Sequence, residues 1–119
     1  MRLFHRGDIC KLSLDPTLGY EQQGYRPVLI LTPEPYNTLT GTAVVAPITN
    51  GGNFARENGF SVSLENTGIK TTGIVRCDQI RTIDLMARQA ESERAHKRII
   101  SESLEIVSTL FEEDDSCQR

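Results

Sequence analysis

Five short apolar stretches, separated by segments that contain glycine, proline or asparagine, restrict the fold of this chain most strongly. They read DICKLSL (8–14), RPVLILT (26–32), TAVVAPIT (42–49), FSVSLE (60–65) and GIVRCDQI (73–80). In FSVSLE the apolar residues occupy every second position, which is the period of a strand with one buried face. RPVLILT is a continuous apolar run, as expected of a central strand. Short strands joined by turn-rich segments at 15–25, 32–41 and 50–59 predict a small β core.

The pattern changes near residue 88. From Glu91 to Glu113 the chain contains neither glycine nor proline. Its apolar residues recur at helical spacing, at Ile99, Ile100, Leu104, Val107, Leu110 and Phe111. We therefore expect an amphipathic helix packed on the sheet, with Ser92 as its N-cap. The whole pattern predicts a mainly β (α+β) fold, a small and partly open barrel followed by one helix.

Length and composition are those of an ordinary soluble domain. With 119 residues, 38% hydrophobic and 24% charged, we expect a single domain at 1–113 and a flexible acidic tail at 114–119. No apolar run approaches the roughly 20 residues that span a bilayer. The start, MRLFHRGDICKL, lacks an apolar segment of signal-peptide length. We therefore expect a cytoplasmic protein.

The net charge of −3 does not exclude a nucleic-acid partner, because the excess of negative charge lies at the C-terminus. The last eight residues, EEDDSCQR, hold four acidic residues and one basic residue, and the remainder holds twelve of each sign. A neutral remainder can still separate its charges into local patches. Three cysteines without close spacing and two histidines indicate neither a disulfide framework nor a metal site. We expect no cofactor and no metal.

The segment DPTLGYEQQGYRP is long for a simple connection and rich in hydrogen-bonding groups. These are Tyr20, Glu21, Gln22, Gln23, Tyr25 and Arg26. It could be a surface excursion in which Glu21 pairs with Arg26, or a binding lip for a polar ligand.

A second loop, ITNGGNFARENGF, combines paired glycines with side chains suited to RNA. Phe54 could stack on a base and Arg56 could meet a phosphate, while the glycines allow close approach of the backbone. Asn53 lies beside them. The same residues would equally suit a plain hairpin loop.

The third unusual feature is a cation and an anion two positions apart in a predicted strand. On a strand, Arg76 and Asp78 would share one face about 6.6 Å apart, and Cys77 between them would point to the core. Such a pair is often only a solvated ion pair, worth under about 1 kcal/mol. It could instead flank a ligand that needs both charges.

Taken together, RGDIC, LDPTLGYEQQGYRPVLILTP, APITNGGNFAR and GIVRCDQIRTIDLMAR resemble the Kid/PemK branch of the MazF-like toxins. The likeness extends over residues 6–88 with matching spacing, and the C-terminal helix continues it. It implies an SH3-like barrel, a homodimer, a cognate antitoxin and a metal-independent endoribonuclease that cuts single-stranded RNA at short sequences, which would inhibit translation and growth.

The resemblance also implies roles for individual residues. Arg76 and Asp78 would be catalytic, in a reaction where the 2′-OH attacks the adjacent phosphate and leaves a 2′,3′-cyclic phosphate and a 5′-OH. Tyr20 stands where the family pattern GHEQQG has histidine, so an auxiliary role there is limited to hydrogen bonding near neutral pH. The RNA-binding positions would be Glu21, Gln22, Arg26, Thr49, Asn50, Asn53, Phe54, Arg56, Asn58, Phe60, Thr72 and Ile74.

Two other functions fit the same fold. Barrels of this kind also include toxins that bind and poison DNA gyrase, and a degenerate member could bind only its antitoxin. Because fold does not decide function, these alternatives depend on the site.

Overall fold

The computed structural model describes residues 3–13, 25–51, 53–85 and 89–113. Within these ranges the chain forms seven strands and three helices. The strands are β1 (Asp8–Ser13), β2 (Tyr25–Ile30), β3 (Thr42–Thr49), β4 (Ser61–Ser63), β5 (Ile74–Arg76), β6 (Arg81–Asp84) and β7 (Gln89–Arg94). The helices are α1 (Glu34–Thr40), α2 (Asn53–Asn58) and α3 (Lys97–Thr109).

The strands form one curled, antiparallel sheet. Its order is β4-β5-β3-β2-β1-β7, and β6 pairs with β3 on the edge opposite β2. The eight-residue strand β3 pairs with β6 in its first half, with β2 in its middle and with β5 at its end. With α3 at the C-terminal end, this is the predicted half-open barrel of short strands followed by a helix, and the predicted fold class is confirmed.

Two apolar clusters hold the sheet together. The larger lies between the sheet and α3 and includes Leu29, Val75 and Ile99, each fully buried. The smaller one lies around Val28 and Ile30 of β2. Both faces of the β2 run are therefore buried, which explains why the run is apolar at consecutive positions.

The prediction that 32–41 is a loop is wrong, because α1 lies within it. Pro33 caps the helix in an extended conformation, and Gly41 ends it in the left-handed region at φ 71°. Asn37 fixes α1 to the barrel: its side-chain amide donates to the Phe4 and Thr32 carbonyls and accepts from the Thr32 hydroxyl. The two prolines of TPEPY indicated a turn, although proline is also favourable in a first helical turn.

The predicted start of the C-terminal helix is also wrong. The residues up to Arg94 form β7, which pairs with β1 in the register Ile9↔Glu93 and Cys10↔Ser92. Helix α3 begins at Lys97, and its N-cap is His96, whose Nδ1 accepts from the Arg98 N–H. Ser92 therefore does not cap the helix. An edge strand can be polar on its exposed side, so its pattern gave no signal of pairing.

Two further boundaries differ from the predictions. The segment 50–59, expected to be a loop, contains α2, and the predicted strand 73–80 ends at Arg76. A separate strand, β6, follows it and pairs with β3. No helix in the described part of the chain is long and apolar enough to cross a membrane.

Candidate active site

The centre of the candidate site is an ion pair between Arg76 and Asp78. Arg76 Nε donates to Asp78 Oδ1 at 3.0 Å, and Nη2 donates to Oδ2 at 2.9 Å. The prediction that Asp78 lies on the strand is wrong. Asp78 lies in a turn after the strand, where the Gln79 N–H donates to the Arg76 carbonyl at 3.1 Å. The turn brings the two charged groups into direct contact instead of leaving them two strand rises apart. Two parallel bonds from one guanidinium to one carboxylate are among the strongest arrangements for such a pair.

Buried residues next to this pair in the sequence fix its backbone. Cys77, between the two charged residues, is fully buried, as predicted, and Ile74 and Val75 of β5 are buried as well. The Cys77 N–H donates to the Phe60 carbonyl at 2.9 Å, which extends the β4–β5 pairing beyond the strand. The backbone that carries the charged pair is therefore fixed by buried side chains and by a hydrogen bond to Phe60, which precedes β4.

The pairing alters the acidity of both groups. The hydrogen bonds to Asp78 raise the pKa of the Arg76 guanidinium, and the same bonds hold the pKa of the Asp78 carboxyl below its ordinary value. Partial burial opposes both shifts. Burial raises the pKa of Cys77 to about 11, so this thiol is protonated at neutral pH and is not a nucleophile.

The end of β3 meets the start of β5 beside the pair. Thr49 pairs with Ile74 in the antiparallel register, and the Thr72 hydroxyl donates to Asn50 Oδ1 at 3.4 Å. Thr49, Asn50 and Thr72 thus form one polar edge, and the RNA contacts that the resemblance implies for them stay a prediction. The side chain of Ile74 is buried, so a contact with RNA from this position would involve its backbone.

Helix α2 closes one end of this edge. Arg56 is exposed, and its Nη2 donates to the Asn50 carbonyl at 3.3 Å. Asn58, also exposed, ends the helix, and Phe60 is partly buried just beyond it. The structure therefore gathers these three residues near Asn50 and the β4–β5 pairing.

For the other predicted site residues, the structure gives at most a position in an element. Arg26 is exposed on β2, two residues before Val28 pairs with Pro47 of β3, and so lies toward the Thr49 end of the sheet. Asn53 and Phe54 belong to the backbone of α2. Tyr20, Glu21 and Gln22 lie outside the described residues, as do the suggested Glu21–Arg26 pair and the 114–119 tail.

Gly73 is a site residue that the sequence reasoning missed. Its φ of +115° is in the region that favours glycine, and a Cβ at this position would lie 2.5 Å from the Thr49 carbonyl oxygen. Only a residue without a side chain allows β5 to begin this close to β3. A glycine at the start of a predicted strand was the available signal.

Among the described residues, no group of three or more histidine, cysteine, aspartate or glutamate side chains could hold a metal ion. What the site offers is a guanidinium fork, a carboxylate and a row of hydroxyl and amide groups at an open edge of a small barrel. This combination is typical of a protein that binds a phosphodiester backbone.

The comparisons with known proteins agree with this class. The model of PemK-like, MazF-like toxins of type II toxin–antitoxin systems matches residues 5–111. The chain belongs to this family, and the predicted resemblance is confirmed.

The chain is 57% identical over 107 residues to the endoribonuclease PemK of Escherichia coli, which covers 89% of this chain and 80% of PemK. It is 49% identical to the E. coli endoribonuclease toxin ChpB, over 74% of this chain and 76% of ChpB. The E. coli endoribonuclease toxin MazF is 33% identical over 71% of each chain.

Solved structures give the same fold. MazF from Deinococcus radiodurans superposes with a TM-score of 0.77 at 28% identity, covering 92% of this chain and 97% of that one. The MazE–MazF complex from the same organism gives a TM-score of 0.75 at 24% identity, covering 96% of this chain and all of the matched chain.

Proposed function

We propose that this toxin is a metal-independent endoribonuclease that cleaves single-stranded RNA beside the Arg76–Asp78 pair. The 2′-oxygen of the RNA attacks the adjacent phosphorus, and the bond from phosphorus to the 5′-oxygen breaks. The products are a 2′,3′-cyclic phosphate and a 5′-OH. The observation that supports this best is the two-bond ion pair, partly exposed at the end of β5, the strand whose first residue pairs with Thr49.

Arg76 holds the charge that develops on the phosphate oxygens. A guanidinium whose pKa is raised further by its partner is a poor proton donor, but it is a strong, planar donor of hydrogen bonds to phosphate. Charge stabilisation is therefore its first role. Donation of a proton to the leaving 5′-oxygen is its second role.

Asp78 takes the proton from the 2′-OH or orients Arg76. While its carboxylate accepts both bonds from Arg76, its lowered pKa makes it a weak base. A phosphate that draws the guanidinium toward itself would remove this influence and make Asp78 more basic. Substrate binding would thus activate the base.

The other residues bind RNA. Thr49, Asn50 and Thr72 supply hydrogen bonds along the edge, Arg56 and Arg26 supply positive charge, and Tyr20 donates a hydrogen bond to phosphate. The remaining contacts are assigned to Glu21, Gln22, Asn53, Phe54, Asn58, Phe60 and the Ile74 backbone.

We also propose that the protein forms a homodimer in the cytoplasm and is inhibited by a cognate antitoxin. The support is the family itself and the solved toxin–antitoxin complexes of MazE with MazF and of a mycobacterial endoribonuclease.

The comparisons do not support the alternative that the sequence left open, a toxin of this fold that poisons DNA gyrase. The curated relatives at 33–57% identity are named endoribonucleases, which favours the nuclease. Cleavage of purified RNA separates the two functions, because only the nuclease reading includes a cut.

The test uses a labelled RNA of defined sequence in EDTA, and the same RNA with one 2′-deoxy sugar 5′ to the scissile phosphate. We expect cleavage of the first with cyclic-phosphate ends and no cleavage of the second at that position, because the nucleophile belongs to the RNA. Binding of the deoxy RNA should persist. Cleavage of the deoxy RNA at that bond, or a requirement for a metal, would overturn the proposed mechanism.

A further inference from the structure

The curled sheet has two ends, and in the described part of the chain the carboxylate of Glu93 forms hydrogen bonds between them. In the described sheet, β4 and β7 lie at opposite ends of the strand order. The segment between β4 and β5 nevertheless reaches β7, where Glu93 accepts hydrogen bonds from it. The barrel is closed here by a side chain and not by a strand ladder.

Three donors converge on Glu93. The Lys70 N–H donates to Oε2 at 2.6 Å, the Thr71 N–H donates to Oε1 at 3.0 Å, and the Thr71 hydroxyl also donates to Oε1. On the neighbouring strand the residue opposite Glu93 is the buried Ile9. Directly opposed residues of antiparallel strands share a face, so Glu93 lies on the core-facing side of an edge strand.

A carboxylate in such a place must be well satisfied to remain charged. Burial raises the pKa of Glu93, but the bonds from the Thr71 hydroxyl and from the two backbone N–H groups outweigh it and hold the pKa below its ordinary value. Glu93 is therefore an anion at neutral pH, bound to the backbone of the opposite end of the sheet.

The segment that Glu93 holds continues directly into the candidate active site. Thr72 follows Thr71 and donates to Asn50. Gly73 then lies against the Thr49 carbonyl, with no room for a side chain. The position of this polar edge therefore depends on where residues 70–73 are held.

We propose that Glu93 is a positioning residue of the nuclease, which fixes residues 70–73 so that Thr72, Thr49 and Asn50 form one RNA-binding edge. Glu93 touches neither the Arg76–Asp78 pair nor the edge itself in any described contact. Its expected effect is therefore on the affinity for RNA and not on the reaction step. The functional part of this inference rests on the proposed nuclease activity.

The first test measures, without RNA, how firmly Glu93 binds the backbone N–H groups of Lys70 and Thr71. Glu93→Gln keeps the size of the side chain, but it removes the charge and replaces one acceptor oxygen with an NH₂ donor. We expect amide hydrogen exchange at Lys70 and Thr71 to become about tenfold faster or more, as for loss of bonds to a charged acceptor. The matched control is Glu102→Gln on α3, where Glu102 pairs only with exposed Arg98 in the described contacts, and it should leave both amides unchanged.

The second test separates positioning from catalysis. With the RNA used above, Glu93→Gln should raise KM about fivefold while kcat at saturating RNA stays within about twofold, because binding energy is lost and the reacting groups are retained. Glu102→Gln should match the parent in both constants. If Glu93→Gln does not fold, Thr71→Val removes one of the three bonds and should raise KM in the same sense. Thr71→Ser, which keeps the hydroxyl, should not.

The outcomes are distinguishable. Unchanged exchange at Lys70 and Thr71 would overturn the hold, and faster exchange with an unchanged KM would overturn the positioning role. A fall in kcat alone would also overturn it, since that would indicate a role in the reaction itself. A parent protein that does not cleave RNA would instead refute the proposed nuclease and with it the effect on RNA, while the exchange experiment would still decide the hold.

Discussion

Two of the arginine–carboxylate pairs in the described part of the chain, Arg76–Asp78 and Arg98–Glu102, lie in very different surroundings. At the end of β5, Arg76 and Asp78 form two bonds of 2.9–3.0 Å, and their side chains are 19% and 16% exposed. On α3, Arg98 and Glu102 are 46% and 47% exposed, and their contacts are 3.4–3.5 Å long. The first pair lies on a turn supported by buried Cys77, whereas the second lies one helical turn apart on a solvated surface.

This difference shows why the pattern of charges in a sequence is ambiguous. An exposed pair at i,i+4 contributes about 0.3–0.5 kcal/mol and is screened by salt. Where water is partly excluded and the geometry is fixed, the same groups interact more strongly and can be directed at a ligand. Shielding and fixed geometry, and not charge alone, distinguish the β5 pair as the candidate site.

The largest expected difference between the two pairs is in catalysis. Arg76→Ala should lower cleavage by about 10²–10³-fold, since one well-placed donor supplies about 2.7–4 kcal/mol of transition-state stabilisation. Arg98→Ala, the matched control, should cleave as the parent does. Single-turnover cleavage of the labelled RNA measures both variants.

Folding of Arg76→Ala is checked by circular dichroism and gel filtration against the parent. A variant that folds and still cleaves within about tenfold of the parent, well short of the expected loss, would remove Arg76 from the reaction. The two pairs would then be equivalent.

The carboxylates should differ less than the arginines. Asp78→Asn should abolish most cleavage if Asp78 is the base, and should cost about tenfold or less if it only orients Arg76, roughly the loss of one hydrogen bond to a charged group. Glu102→Gln should leave cleavage unchanged. Initial rates on the same RNA distinguish these cases.

The stability of Asp78→Asn gives an independent check on the pair. Because the folded-state pKa of Asp78 is lowered, its stabilisation is fully present above the unfolded value of about 3.9 and is lost as the pH falls through the folded pKa. Urea unfolding should therefore show the parent more stable than Asp78→Asn by about 1 kcal/mol at pH 7. The gap should shrink below about pH 4; a gap independent of pH would contradict an ionic contribution.

The smallest expected effect is at Tyr20. Variants at this position test whether a group other than Arg76 and Asp78 takes part in proton transfer. Tyr20→Phe should cost about 0.5–1.5 kcal/mol of activation, the size of one hydrogen bond. Tyr20→His should add an ionisation between about pH 6 and 7 to the rate profile. Rates from pH 5 to 8 check both; superimposable profiles for the parent and Tyr20→His would exclude this position from proton transfer.

Much of the barrel was predictable from local patterns. The alternation in FSVSLE and the apolar run in RPVLILT predicted strands because burial on one or both faces leaves a period in the sequence itself. Cys77 was correctly expected in the core for the same reason. The candidate site residues were named by resemblance to a family, and the structure brings Thr49, Asn50, Thr72, Arg76 and Asp78 together.

By itself, then, the sequence determined the fold class, the family and the identity of the charged pair. Only the tertiary structure decided that Asp78 leaves the strand to meet Arg76 in a turn, that ESER is an edge strand and not a helix, and that Glu93 closes the barrel. Each of these depends on a partner far away in the sequence. Hydrogen bonds from a distant backbone leave no period along the chain, whereas burial of alternate residues does.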